Sequence, residues 1–273
     1  MAVRPGLYEE LYEAFGPDVR AGAVVLDFSP LNQSAIARAK KYLPHDLQGT
    51  AQAYMVGGTP IVGSAYLFDP ATETAKASAD LFDKGTLVLA PTSDCHPEAV
   101  QLASDFGTLL GMTIRFADPL EHDGLITTME GLPLLASLAL FQAANQSGAW
   151  DDLRRMGNPA FALATLGLSQ HTPDDAAAFF SGNRESAVQS VDSFIKALTA
   201  LRDVLQNDDP HLLEATFNQV IANRDEWLAA RRKNEWDAKT DVKPTENISL
   251  LGVLGTRFSF RGLRPGENKS NNQ

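Results

Sequence analysis

The change of pattern near residue 118 constrains the fold of this chain more than any other feature. Before it, short apolar runs such as residues 23–28 and 86–90 alternate with helical patterns such as residues 97–110. Continuous apolar strands separated by helices are typical of a parallel sheet that helices cover on both faces. After residue 118 the strand patterns stop. The sequence therefore predicts an α/β domain followed by an all-helical domain.

Three long helical patterns fill the second part of the chain. Residues 122–147 carry apolar side chains almost all round the helix, which is typical of a helix buried in a domain or at a subunit contact. Residues 183–206 and 210–233 are amphipathic. We predict an α/β domain over residues 1–117, a helical domain over residues 118–236 and a partly disordered tail over residues 237–273.

Charge and cysteine content exclude several classes of function. The net charge of −11 disfavours binding to nucleic acids and to anionic membranes. The single cysteine, Cys95, excludes a disulfide framework within the chain and a thiolate metal cluster, and fits a reducing compartment. Residues 132–144 are too short a stretch to span a bilayer, and the first residues do not resemble a signal peptide. We expect a cytoplasmic protein.

Six short strings stand in order along the chain. They are RAGAVVLD (20–27), VGGTPIVGS (56–64), LVLAPT (87–92), DPLEHD (118–123), GLP (131–133) and NR (183–184). In this order they resemble the strings GAVVTD, GGHPMAGS, VLTPT, DPEEHD, SHLPH and NR of the prephenate dehydrogenase family. Each string alone is weak, but their shared order and near-correct spacing over about residues 3–230 indicate this family.

The resemblance implies a Rossmann-like nucleotide-binding domain followed by a helical domain that forms a homodimer. It implies an oxidoreductase of tyrosine biosynthesis that uses NAD or NADP for the oxidative decarboxylation of prephenate or arogenate. In that family a strand, a Gly-x-Gly-x-x-Gly turn and a helix come first, and the helix N-terminus holds the pyrophosphate. Residues 2–5 match the family's fourth strand. We therefore expect a partial α/β domain without the first strands and without that turn.

Several positions depart from the family's catalytic pattern. Thr59 stands where the resemblance places a catalytic histidine, and threonine forms hydrogen bonds but takes no proton near pH 7. The expected loss is roughly 10²–10⁴-fold in rate. Gly131 and Leu134 replace two further histidines, Glu130 replaces a serine, and a substrate-binding arginine falls near Gly167. A family lysine falls near Asn32.

His122 and Asp123 retain the family's pattern. They serve either a cleft or a helix N-terminus, where an aspartate favours the helix dipole and a histidine bonds locally. Thr59 and Ser64 either line a pocket or are ordinary turn residues. The candidate catalytic residues are Thr59, Ser64, His122 and Asp123, and the candidate substrate-binding residues are Glu130 and Gly131. The candidate cofactor-binding residues lie at strand ends: Asp27, Ser29, Pro91 and Thr92.

Three functions remain open from the sequence. The first is a dehydrogenase of this family whose glycine-rich turn is encoded upstream. The second is a non-catalytic homodimer that acts in binding or regulation. The third is a dehydrogenase with a different substrate, because Thr59 and Glu130 would reshape the pocket. Walker, Gly-x-Ser-x-Gly and His-Glu-x-x-His motifs are absent from the sequence, which argues against the chemistries they serve.

Overall fold

The computed structural model describes residues 1–68, 78–234 and 236, which form an α/β part and a helical part. The predicted tail over residues 237–273 lies outside this range. In chain order, the α/β part contains α1 (Tyr8–Phe15), β1 (Val24–Asp27), α2 (Asn32–Tyr42), β2 (Tyr54–Ile61), β3 (Thr86–Ala90), α3 (Pro97–Leu109) and β4 (Thr113–Phe116). Short 3-10 turns lie at Pro5–Leu7, Gly16–Asp18 and Ser64–Tyr66.

The four strands form one mixed sheet in the order β1-β2-β3-β4. β1 pairs with β2 and β3 pairs with β4 in parallel, whereas β2 and β3 are antiparallel. The prediction of a wholly parallel sheet is therefore wrong at the β2–β3 pair. A parallel pair needs a crossover, usually a helix, and the described part of residues 62–85 contains only the short Ser64–Tyr66 turn as a helical element.

Helices cover both faces of the sheet. On one face α3 packs against a core that includes Val56, Leu87 and Leu89, and on the other α1 and α2 pack around Tyr12 and Met55. Alternate residues of β2 thus serve opposite cores, as the period of a strand requires. The two predicted helical layers over the sheet are present.

The helical part begins with one continuous helix in three sections. α4 (Pro119–Ile126) passes through a π-helical turn (Thr127–Gly131) into α5 (Leu132–Asn145). Asp118 caps its first turn by accepting hydrogen bonds from the main-chain N–H groups of Leu120 and Glu121. The remaining helices are α6 (Trp150–Leu153), α7 (Pro159–Ala164), α8 (Pro173–Gly182), α9 (Arg184–Gln206) and α10 (Pro210–Lys233), with a 3-10 turn at Leu166–Ser169.

Large apolar side chains lie exposed along the long helices. They are Leu138, Leu140 and Phe141 of α5, Val188, Ile195, Leu198, Leu201 and Leu205 of α9, and Phe217, Val220 and Ile221 of α10. The continuous helix Pro119–Asn145 has 27 residues and is apolar enough to cross a membrane by length and composition, with 11% of that window buried. It exceeds the 132–144 stretch considered in the sequence. Exposed apolar surface on this scale is typical of a protein–protein contact.

The N-terminal segment contacts both parts of the molecule. The main chain of Met1 hydrogen-bonds to Leu26 and Phe28 at the outer edge of β1. A few residues later, the N–H of Gly6 donates to Asp175 Oδ1 of α8 at 2.8 Å. This segment therefore ties the outer edge of the sheet to the helical part.

Candidate functional site

His122 lies at the junction of the two parts, with 1% of its surface exposed. Because Asp118 fixes the start of α4, the second turn of that helix carries His122 against α2 and β2. The Nε2 atom lies 2.9 Å from Thr59 Oγ1 of β2, and the Nδ1 atom lies 2.7 Å from Asn32 Nδ2 of α2. The imidazole therefore joins a strand and a helix of the α/β part to the helical part.

Asp123 binds the N-terminus of α2. Its Oδ1 accepts from the N–H of Asn32 at 2.6 Å and its Oδ2 from the N–H of Gln33 at 2.9 Å, and the residue is 1% exposed. The first N–H groups of a helix have no intrahelical partner and favour an anion. Asp123 does interact with a helix N-terminus, as one interpretation of the sequence expected. The helix is α2 rather than α4, because Asp118 caps α4 itself.

The tautomer of His122 depends on two neighbours of its Nδ1 atom. Asp123 Oδ1 lies 3.2 Å from Nδ1, and a carboxylate at that distance favours an N–H on this nitrogen. Asn32 Oδ1 is buried and has no hydrogen-bond partner among the described residues. Flipping the Asn32 side-chain amide, which exchanges Oδ1 and Nδ2, would allow Oδ1 to accept a hydrogen bond from His122 Nδ1–H. In that arrangement Nε2 accepts a hydrogen bond from the Thr59 hydroxyl.

Thr59 belongs to β2 rather than to a loop, and two glycines precede it in that strand. A Cβ atom at Gly57 would stand 1.9 Å from Asn32 Oδ1, so only glycine admits Asn32 at this point. Thr59 itself is half-buried. Its hydroxyl is thus fixed on one side by His122 while part of its surface is exposed. The alternative that Thr59 is an ordinary turn residue is wrong.

Asp27 and Ser29 occupy a second, separate polar network. Asp27 is fully buried and accepts from the Tyr12 hydroxyl at 2.9 Å and from the N–H of Ser29 at 2.7 Å. Arg38 donates to Ser29 Oγ at 2.8 Å and lies 3.8 Å from Asp27. Burial, together with the charge of Asp27, raises the pKa of Tyr12. The side chains of Asp27 and Ser29 are therefore engaged inside the protein, and their cofactor role stays a prediction.

The remaining α/β candidates, Ser64, Pro91 and Thr92, lie outside the hydrogen-bond network of His122 in the described structure. Ser64 is half-buried in the turn after β2. Pro91 and Thr92 directly follow β3, and a hydrogen bond from Thr92 lowers the pKa of Asp94. Their roles also stay predictions. Of the four candidate catalytic residues, the structure brings Thr59, His122 and Asp123 together and leaves Ser64 outside this group.

Glu130 lines a cavity of about 600 Å³ within the helical part. Leu134 and Gly167 line the same cavity, so three positions that depart from the family pattern meet in one place. Burial among these side chains raises the pKa of the Glu130 carboxyl, and the nearby His171 partly opposes that shift. Most side chains that line the cavity are apolar, and the Glu130 side chain at its edge is exposed to solvent.

Gly131 is buried against two aromatic rings. A Cβ atom at this position would lie 2.8 Å from Phe179 Cε1 and 3.1 Å from Phe180 Cε1. Phe179 and Phe180 are in edge-to-face contact with ring centroids 5.1 Å apart. Aromatic side chains thus occupy the space that a histidine at position 131 would need.

The described residues do not fit the pyrophosphate of a dinucleotide. Pyrophosphate binding needs free N–H groups at a helix N-terminus after a glycine-rich turn. In the described chain, no glycine lies between β1 and α2 or between β3 and α3. The first N–H groups of α2 donate to the Asp123 carboxylate, and the N–H of Glu98 in α3 donates to His96 Nδ1. Nor do those residues contain a cluster of three or more acidic, histidine or cysteine side chains for a metal.

Two asparagines of the junction were not predicted as site residues. Asn183 Nδ2 donates to the carbonyl of Asp123 at 2.9 Å and to Thr127 Oγ1 at 2.7 Å, while Asn32 contacts His122. Both positions were noted in the sequence, Asn183 as part of a string and Asn32 as the place of a lysine. Local patterns gave no signal for their contacts, which join residues far apart in the chain.

Comparison with known proteins identifies the helical part. Residues 118–219 match the family model described as "Prephenate dehydrogenase, dimerization domain". No curated protein matches the chain.

Solved structures of similar fold cover both parts of the chain. Synechocystis arogenate dehydrogenase shares 19% identity with a TM-score of 0.62, covering 81% of this chain and 76% of that one. A prephenate dehydrogenase from A. aeolicus in complex with hydroxyphenyl propionate and NAD⁺ shares 18% identity with a TM-score of 0.67, covering 82% of this chain and 74% of that one. The likeness confirms the predicted fold class, a Rossmann-like α/β domain followed by a helical domain.

Proposed function

We propose that this chain is a dehydrogenase for a substrate of the prephenate or arogenate type, because residues 118–219 match the dimerization-domain model of prephenate dehydrogenases. The observation that carries this proposal is the 2.9 Å contact between Thr59 Oγ1 and His122 Nε2. The resemblance expects histidines at positions 59 and 122, and the one at 122 is present, one hydrogen bond from Thr59. A group that can accept a proton therefore still lies next to position 59.

Thr59 and His122 act as a two-step proton acceptor. A threonine hydroxyl accepts one hydrogen bond while it donates another. The substrate hydroxyl donates its proton to Thr59 Oγ1 as Thr59 donates its own to His122 Nε2. Asp123 stabilises the imidazolium that results, because its Oδ1 lies 3.2 Å from Nδ1.

NAD or NADP supplies the hydride acceptor in such a reaction. The described residues form the proton-accepting side of the site, and the dinucleotide-binding side is not among them. Calorimetric titration of the chain with NAD and with NADP tests whether this protein binds either cofactor.

The experiment follows the reduction of NAD and NADP by absorbance in the presence of prephenate or arogenate. We expect His122→Gln and Thr59→Val to lower kcat by roughly 10²–10⁴-fold, the size of a general-base contribution. Thr59→Ser keeps the hydroxyl and most of the rate. His211→Gln, an exposed histidine of α10, is the matched control and leaves the rate unchanged. No reduction with either substrate, beside an active control enzyme, overturns the proposal.

The aromatic filling at Gly131 favours a second candidate function. Phe179 and Phe180 take the space of a family histidine, which a protein without catalysis no longer needs. In this alternative the chain is a non-catalytic homodimer that binds a ligand or a regulatory partner. Absence of turnover together with saturable ligand binding supports it over the dehydrogenase.

Under either function we propose a homodimer formed through the helical part. The exposed apolar residues of α5, α9 and α10 support this assembly, since one chain leaves them in contact with water. Sedimentation equilibrium is expected to give twice the chain mass of 29.5 kDa. A monomer at micromolar concentration contradicts it.

A further inference from the structure

We infer that the groove between α8 and α9 receives α9 of a second copy of this chain, antiparallel and related by a two-fold axis at Val188. The groove has a volume of about 440 Å³, and one face of each of the two helices lines it together with Leu135 of α5. The inference rests on the proposed homodimer and names the surfaces that meet in it.

The groove is apolar along its middle and open to solvent. Phe180 of α8 and Val188 and Val191 of α9 supply much of its lining, and Val188 is 54% exposed. An open apolar groove between two helices is suited to the apolar face of a third helix. All of these residues lie within residues 118–219, which match the dimerization-domain model. That match favours a second copy of the chain over an unrelated partner.

The charges in the groove are arranged symmetrically about Val188. Arg184 lies four residues before it and Asp192 four residues after it, and both line the groove and are exposed. Residues four apart share one face of a helix, so the two charges stand on the same side of α9, about 12 Å apart. Among the described residues, neither side chain forms an ion pair within its own chain. A helix face with this pattern is complementary to itself when the second copy runs in the opposite direction.

A two-fold axis at Val188 places Arg184 opposite the partner's Asp192, and the same contact occurs a second time with the roles exchanged. Such an interface uses one surface twice and closes at a dimer. A parallel arrangement would instead bring Arg184 against the partner's Arg184, and these like charges repel. The charges therefore select the antiparallel orientation.

The same axis also gives Ile195 a place to pack. Ile195 is 53% exposed and lies about 10 Å along α9 from Val188. The partner's α9 begins only about 6 Å from the axis, at its position 184. Ile195 therefore reaches past the start of that helix to the end of the groove that α8 forms with Ala177 and Ser181.

Charge reversal tests the pairing by sedimentation velocity over a dilution series of the full chain. Arg184→Asp and Asp192→Arg should each raise the dimer dissociation constant roughly 100-fold, because each creates two like-charge contacts. The double variant exchanges the charges and should return to within about tenfold of the parent. Arg20→Asp, at an exposed position of the α/β part, is the matched control: it changes the net charge as Arg184→Asp does and leaves the dissociation constant unchanged. Circular dichroism checks that every variant is folded.

Disulfide cross-linking tests the position of the axis. Val188→Cys should link two chains on mild oxidation, because the axis brings the two copies of this position together. Gln189→Cys is the matched control, since position 189 is exposed but lies about 100° round the helix, and it should not link. The parent chain, with Cys95 alone, gives the background.

The outcomes separate this interface from the other proposals. A dimer that withstands both single reversals, or that the double variant does not restore, overturns the inference and leaves the homodimer in place. Equal cross-linking of Gln189→Cys and Val188→Cys also overturns it. A monomeric parent chain overturns the inference and the homodimer together. Reduction of NAD or NADP is measured separately, and Thr59 and His122 lie outside the groove, so the dehydrogenase proposal stands or fails independently.

Discussion

Two carboxylates on the same continuous helix have opposite environments. At the junction, Asp123 is 1% exposed and accepts hydrogen bonds from two N–H groups of α2, with His122 Nδ1 close by. In the cavity further along the helix, Glu130 has no hydrogen-bond partner in the described chain. The first carboxylate joins the two parts of the molecule, whereas the second is exposed to solvent.

The difference shows how to separate structural from functional polar groups in this fold. A buried carboxylate is tolerated when helix N–H groups and a histidine satisfy it, and its removal then costs stability. An exposed carboxylate beside apolar side chains, such as Glu130, costs a little stability while it stays charged, because contact with water limits the penalty. Substitutions at the two places should therefore change the free energy of unfolding with opposite signs.

The largest effect is expected for Asp123→Ala. This variant leaves two N–H groups of α2 buried without acceptors, so the free energy of unfolding should fall by roughly 2–5 kcal/mol. Urea denaturation followed by circular dichroism measures it. Asp118→Ala removes a solvent-accessible cap and should cost about 1 kcal/mol. Equal losses in the two variants would mean that Asp123 does not hold the junction.

A smaller loss is expected for Gly131→Ala. The added methyl group would stand 2.8 Å from Phe179 Cε1, and such overpacking should cost about 1–2 kcal/mol. At Gly124 of α4 the nearest atom to an added Cβ is Ser186 Oγ at 3.8 Å. Gly124→Ala should therefore stabilise the protein by about 0.5–1 kcal/mol through helix propensity. Chemical denaturation of both variants checks the predicted opposite signs.

Thr59→Val tests the junction from the side of the sheet. It removes the hydroxyl that bonds His122 Nε2 at 2.9 Å and should lower the free energy of unfolding by about 1 kcal/mol. Thr59→Ser should restore most of that loss. Nitrogen chemical shifts of the imidazole report the tautomer in the same samples. A proton found on Nε2 in the parent chain would contradict the acceptor role of His122.

The smallest effect is expected for Glu130→Gln, and it should depend on pH. Burial raises the pKa of Glu130 in the folded protein, so protonation stabilises the fold below the ordinary glutamate pKa of about 4.3. That stabilisation is lost as the pH rises through the folded pKa. Because Glu130 is exposed, solvent screens this effect, so Glu130→Gln should be more stable than the parent at pH 8 by well under ~1 kcal/mol and equal to it near pH 4.

Thermal melts at both pH values measure this difference. Glu214→Gln, exposed on α10, should follow the parent chain throughout. A Glu130→Gln variant that is less stable than the parent at pH 8 would show that the carboxylate has a stabilising partner. The comparison between Asp123 and Glu130 would then fail.

Much of the fold was predictable from local pattern. Helices were expected over residues 210–233 and 97–110 and are found at Pro210–Lys233 and Pro97–Leu109, and the strand at Thr86–Ala90 was placed correctly. Apolar periodicity and proline starts carry these signals within a few residues of chain. The short helices Trp150–Leu153 and Pro159–Ala164 were missed, because so few residues give no clear period.

The site was predicted in its members more than in its geometry. Thr59, His122 and Asp123 were all named from the sequence. Thr59 was expected in a loop, however, and Asp123 was expected to interact with the N-terminus of its own helix. Gly57 and Gly58 resemble turn residues by propensity. They lie in β2 because Asn32 approaches the backbone of Gly57 so closely that a side chain there would collide with it.

The sequence by itself determined that an α/β part precedes a helical part, because the apolar periodicity of strands and helices is visible within a few neighbouring residues. Only the tertiary structure decided that β2 and β3 run antiparallel and that Asp123 binds α2. The contact between Asn32 and Asp123 joins residues 91 positions apart, and that between Thr59 and His122 joins residues 63 apart. No local period encodes such pairs, because they form only when packed elements bring distant polar groups out of water together.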